Sequence, residues 1–200
     1  MIHWKTKQKI KTSLEAQKNA PIQKIVLNSR ELAALQSYVK KHFKESPVIS
    51  KSPSRSSIAG KSNSNTAYFS TTGNGQSVPL KQKRKKTFAL FLLEKLDERD
   101  ISIEDLCAWI GLPPSIVNKT KKNQEKVPWE PEKDIVIKMG MAMHMNKKQL
   151  GELLAIAGYT LTENSKTDLA IRHCLDKKIY NRWKIDACVF ELTGKNFYSH

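Results

Sequence analysis

The side chains of this chain best equipped for chemistry are cationic, and they are bunched. Lys81, Lys83, Arg84, Lys85 and Lys86 put five positive charges into six residues. A run of that density can track phosphates, serve as a nuclear import signal, or stand as the solvated end of a linker. Near the N-terminus Lys5, Lys7, Lys9 and Lys11 alternate with mostly polar residues. They read as a disordered, charged tail able to touch nucleic acid nonspecifically.

A second group, His173-Cys174 beside Asp176, has the residue types of a metal site or an activated nucleophile. Neighbours on a helix point about 100° apart, so His173 and Cys174 do not converge on one ligand. Cys174 falls instead on an apolar stripe with Ile171 and Leu175, where a thiol is a small core residue. The three cysteines, Cys107, Cys174 and Cys188, show no CxxC spacing and read as reduced thiols of a cytoplasmic protein. No GxGxxG, P-loop, HExxH, paired-carboxylate or Ser-His-Asp pattern occurs, so neither a catalytic site, a metal nor a cofactor is expected, and the chain is not read as an enzyme.

What must position the basic groups follows from the charge map. The 200 residues carry 35 Lys plus Arg against 19 Asp plus Glu, a formal net charge of +16. Residues 1–86 hold 18 basic and 3 acidic side chains, whereas 87–200 hold 17 and 16. The chain therefore divides into a basic arm and a nearly neutral body. The excess points to a polyanionic partner. No run approaches the length of a membrane span, and the first residues lack the apolar segment of a secretory signal.

Between Ser46 and Pro79, ten of 34 residues are Ser, and no carboxylate lies between Glu45 and Glu94. Such a stretch cannot bury enough apolar surface to offset its ordering entropy and reads as a linker. Before it, Asn28-Ser29 can cap one helix with Leu32, Leu35, Val39 and Phe43 on a single face. After it comes a succession of short capped helices. The first runs from about Thr87 to Glu98, and Ser102 with Asp105 opens a second that Gly111 ends. Pro113-Pro114 opens a third, to about Lys122, and Pro131 a fourth with Ile135, Met139 and Ala142 inward. Asn146 and Gln149 cap a fifth, with Leu150, Leu153, Leu154 and Ala157, closed by Gly158. Two more span about 166–177 and 183–192, the last ending at Gly194. Met139, Met141, Met143 and Met145 alternate along the fourth helix, so half of them should face the core. Trp109 and Trp129 read as packing residues at helix edges.

Residues 103–120 have the parts of a helix-turn-helix: a small residue where two helices touch (Cys107), a turn glycine (Gly111) and flanking core residues (Leu112, Val117). With the helices that follow, the stretch from Thr87 to Leu161 resembles the lambda-repressor-like (XRE-type) helix-turn-helix family. Leu153-Leu154-Ala155-Ile156-Ala157-Gly158-Tyr159-Thr160-Leu161, then Asn164-Ser165-Lys166-Thr167-Asp168-Leu169, is similar to a bacterial subset in which a further helical pair follows with a Tyr-x-x-x-x-Ile-Asn pattern. Tyr180, Lys184 and Ile185 match that spacing, and Asp186 stands where the subset has Asn.

The resemblance implies that the helix from Pro114 lies in the DNA major groove. Ser115, Asn118, Lys119 and Lys122 would then face base edges, where Asn can pair bidentately with adenine and Lys can reach guanine acceptors. Lys121 and Lys126 would lie nearer phosphates, and the amide end at Ser102–Glu104 would clamp a phosphate. This chain departs from the family at Pro113 and Pro114, which cannot hydrogen-bond a base, and at Thr120, where a large aliphatic is usual. With a body of net charge +1, the electrostatic share of affinity falls to the arm.

The expectation is an all-α protein: a basic N-terminal segment with one amphipathic helix (1–45), a Ser/Asn/Gly-rich linker ending in the basic cluster (46–86), a five-helix helix-turn-helix domain (87–161) and a helical pair packed on it (162–200), the arm being largely disordered. The expected function is non-enzymatic binding of double-stranded DNA, in transcriptional regulation, with a homodimer compatible with the family. The alternative is a protein-interaction adaptor or regulator in a bacterial defence or mobile-element system, docking through Pro113-Pro114-Ser115-Ile116.

Overall fold

The computed structural model describes residues 4–18, 25–45, 87–113, 115 and 130–198. Eight helices and no strand occur among them: α1 (Trp4–Lys18), α2 (Ser29–His42), α3 (Phe88–Asp97), α4 (Ile103–Ile110), α5 (Lys133–Ala142), α6 (Lys147–Ile156), α7 (Lys166–Asp176) and α8 (Arg182–Thr193). Among the described residues no helix is long and apolar enough to cross a membrane. Residues Met1–Glu45 and Lys86–His200 form one compact unit; the other, Ser46–Lys85, lies outside the described residues.

Local chemistry sets the helix ends. Thr87, Ser102 and Ser165 each accept the backbone N–H three residues on, and Asn28 with Glu31 and Asn146 with Gln149 make reciprocal capping boxes. Each oxygen satisfies an amide that the first turn leaves without a partner. At the other end, helices α4, α6 and α8 pass into left-handed Gly111, Gly158 and Gly194, the conformation a glycine adopts at least cost.

The core is continuous from α1 to the C-terminal segment. Leu92 and Leu96 of α3, Leu106 and Trp109 of α4, Ile137 and Met139 of α5, Leu150 and Leu153 of α6, Ile171 of α7 and Ile185 of α8 are all buried in it. All four alternating methionines are fully buried, not half of them. The reason is twofold: the C-terminal half of α5 is buried on every side, Met139, Gly140, Met141 and Ala142 alike, and beyond it Met143 is the C-cap and Met145 lies in the turn, where helical rotation no longer applies. Helix α7 packs on α8, on α6 and on α2. Asp186 of α8 accepts the backbone N–H groups of Phe197 and Tyr198 at 2.5 and 2.9 Å, which folds the C-terminal segment back so that the Tyr198 ring meets Trp109 edge-on at 5.2 Å. At this position the carboxylate acts as a structural acceptor.

The N-terminal segment departs most from expectation. It forms two helices, and the first contains the lysines expected in a disordered tail. Ile10, Leu14 and Gln17 make the buried stripe of α1, which packs against α4. Gln17 accepts the backbone N–H of Arg182 at 2.7 Å, satisfying the first amide of α8. Helix α2 seats Leu35, fully buried, in the core; burying such a side chain stabilises by about 1.5–3 kcal/mol. Around it, Tyr38 donates to Asp176 at 2.8 Å, Lys184 donates to Glu31 at 2.8 Å, and the Lys44 N–H donates to the Glu163 carbonyl at 3.0 Å. Burial and the Asp176 carboxylate push the Tyr38 hydroxyl up to about 12.

Candidate nucleic-acid interface

The segment read from sequence as a helix-turn-helix begins with α4. Ser102 holds its first turn, accepting the Asp105 N–H at 3.0 Å while donating to the Asp105 carboxylate at 2.8 Å. Its hydroxyl is therefore engaged within the chain, and Glu104 and Asp105 put negative charge at the helix end expected to clamp a phosphate. Cys107 is fully buried, and burial pushes its thiol up, so it packs as a neutral contact. Gly111 sits at φ 76°, and the Leu112 N–H returns to the Cys107 carbonyl at 2.9 Å. Helical conformation is regained at Ser115, whose side chain is exposed. The other residues assigned to DNA, Asn118, Lys119, Lys121, Lys122 and Lys126 together with Lys81, Lys83, Arg84, Lys85 and Lys86, lie outside the described residues, as do Trp129 and Ile116.

A basic surface not foreseen from sequence is built by α1. Among the described residues, three that are not glycine have left-handed backbones, Asp100, His144 and Lys178. Each occupies the place just beyond a helix where glycine is favoured, after α3, α5 and α7. The backbone bonds are those of the motif that closes a helix with such a residue: Ile101 to Leu96, Met145 to Gly140 and Ile179 to Cys174. A side chain in this conformation costs roughly 1–2 kcal/mol. All three lie against α1. Lys11 pairs with Asp100, while His144 and Lys178 line a cleft with Lys5 and Lys9. Helix C-termini carry partial negative charge, about half an electron each, so a lysine-rich helix laid across three of them is held by charge as well as by Ile10 and Leu14.

In the cleft the His144 imidazole stacks on Tyr180, centroids 4.5 Å apart and planes 10° apart. Tyr180 is fixed by its hydroxyl, which donates to the Met145 carbonyl at 3.1 Å. Burial, then the charges of Lys9 and Arg99, push His144 down to about 4 from its ordinary 6.5. Below the ordinary value the unfolded chain binds a proton that the folded chain refuses. Stability is therefore full above pH 6.5 and is lost as pH falls towards about 4. Burial lowers His173 as well, with the same sign. In a series of thermal midpoints across this window, His144→Asn, which tolerates the left-handed backbone, is expected to shrink the acid loss; an unchanged slope would count against a neutral His144.

His173 and Cys174 go separate ways. His173 meets the edge of Tyr38 at 5.2 Å, and Cys174, fully buried, hydrogen-bonds Cys188 across the α7–α8 contact. Donation to Cys188, reinforced by burial, pushes the Cys174 thiol up. Sequence reasoning also missed Arg99, only 1% exposed, which donates to the Met143 carbonyl at 2.9 Å and the Lys95 carbonyl at 3.1 Å. Nothing local marks a buried arginine whose acceptor comes from a distant turn.

No family model, curated protein or solved structure matches this chain. Its functional reading therefore rests on its own residues: the turn at Gly111, the exposed helical Ser115 and the placement of charge.

Proposed function

We propose that this chain is a non-enzymatic protein of the lambda-repressor-like helix-turn-helix type that binds double-stranded DNA and regulates transcription. The observation that carries the reading is the turn after α4. Cys107 is fully buried, Gly111 is left-handed and helical conformation returns at an exposed Ser115, where the family carries the helix that enters the groove. Ser115, Asn118, Lys119 and Lys122 contact bases, with Lys121 and Lys126 nearer phosphates. The cluster Lys81, Lys83, Arg84, Lys85 and Lys86 supplies phosphate affinity, since residues 87–200 hold 17 basic against 16 acidic side chains.

A fluorescence anisotropy titration of the full chain with a random-sequence duplex, repeated over a salt series, tests this. The logarithm of the binding constant should fall steeply with the logarithm of salt concentration. Replacing the five cluster residues by Ala should reduce the slope by about 0.9 for each phosphate they no longer neutralise. Absence of binding at low salt, or a slope untouched by the five substitutions, would favour the protein-docking alternative.

A further inference from the structure

The cleft between α1 and the turns that follow α5 and α7 has a volume of about 520 Å³, within the range of small-molecule sites. Three features converge there. Lys5, Lys9 and Lys178 line it with no carboxylate among the lining residues. The stacked His144–Tyr180 pair provides a fixed planar surface beside Ile10. Finally, His144 and Lys178 hold left-handed backbones, φ 51° and 54°, at helix-closing positions where glycine would be less strained. Two side chains at such positions, both lining one cleft, match the use of strained backbone at ligand sites. Two helix C-termini face the cleft with about −0.5 each, against three ammonium groups and the N-terminus of α8 at Asn181. The balance is positive.

From this we infer that the cleft binds a nucleoside polyphosphate, its planar base against the His144–Tyr180 stack and its phosphates among Lys5, Lys9 and Lys178. His144, neutral at physiological pH, serves as a surface, and the lysines provide the charge. Tyr180 is committed to Met145, so its ring is held ready without a ligand. The site is separate from the residues assigned to DNA, and its presence does not depend on that assignment.

Isothermal titration of the full chain with ATP, tripolyphosphate and adenosine is the test. ATP should bind at least roughly tenfold more tightly than tripolyphosphate, a difference of about 1.4 kcal/mol, and adenosine should bind more weakly than both. Two variants exploit the backbone. Lys178→Gly removes the charge while relieving the left-handed strain, so the thermal midpoint should hold or rise while ATP affinity falls about tenfold. Lys5→Ala with Lys9→Ala, both on exposed positions, should weaken ATP further and leave adenosine unchanged. No ATP binding, equal affinity for tripolyphosphate, or wild-type affinity in Lys178→Gly would each overturn the assignment. A single-stranded oligonucleotide that displaces ATP at concentrations far below those at which ATP itself binds would place a strand, not a free nucleotide, in the cleft and overturn it as well.

Discussion

Asp168→Ala should lower the stability of the fold by about 3 kcal/mol, the scale for removing one partner of a buried ion pair. The carboxylate is only 2% exposed, yet it accepts three hydrogen bonds: from the Thr162 N–H at 2.7 Å, the Thr162 hydroxyl at 2.9 Å and the Lys133 ammonium at 2.5 Å. These tie the start of α5 and the loop after α6 to the first turn of α7. Without the carboxylate, a backbone N–H and an ammonium that is 28% exposed lose their acceptor, and water reaches them only in part. For a unit of this size the loss amounts to roughly 6–12 °C in thermal midpoint. Asp168→Asn, which keeps an acceptor oxygen, should lose about half as much. A midpoint within about 2 °C of wild type for Asp168→Ala would mean that Asp168 does not organise this junction. The same Asp belongs to the sequence pattern that resembles the bacterial subset, and the structure gives it a part in the fold, with no chemistry needed.

The second large effect is expected at the proposed reading helix. Asn118→Ala combined with Lys119→Ala removes two side chains assigned to base edges, each worth about 1–3 kcal/mol of discrimination. On a duplex that the wild type prefers, the pair should cost about 2–4 kcal/mol, roughly 30- to 1,000-fold. On an unrelated duplex the loss should be small, because nonspecific affinity comes from phosphates and only one of the two residues is charged. Neutralising Lys81, Lys83, Arg84, Lys85 and Lys86 should do the opposite, weakening all duplexes alike and leaving the preference intact. The two sets of variants thus separate selectivity from affinity.

Helix boundaries in the body were legible because their causes are local. Thr87, Ser102, Asn146 and Ser165 cap helices through hydrogen bonds to residues three positions on, and Gly111, Gly158 and Gly194 end them through backbone freedom. The same local rules could not find Asp100, His144 and Lys178, since glycine is the default at such positions and what these side chains meet, Lys11 or the cleft beside α1, is remote in sequence. Helix α1 was itself illegible. Its buried stripe is Ile10, Leu14 and the polar Gln17, too thin for apolar periodicity to register, and the helix it packs against, α4, is remote in sequence. The methionine run misleads for the opposite reason: the C-terminal half of α5 is buried on every side, so Met141 is as enclosed as Met139, and the helix stops before Met143 and Met145. The turn at Gly111 was legible from spacing, while the placement of α1's lysines at the cleft needed the tertiary structure.

A selectivity ratio decides whether the helix after Gly111 reads DNA. A duplex would be recovered from a random library by the full chain, and its affinity compared with that of a scrambled duplex for wild type and for Asn118→Ala/Lys119→Ala. DNA reading by this helix predicts a clear wild-type preference that falls at least roughly 30-fold in the variant while binding to the scrambled duplex persists. An unchanged ratio, or a wild type that recovers no preferred duplex, would contradict it.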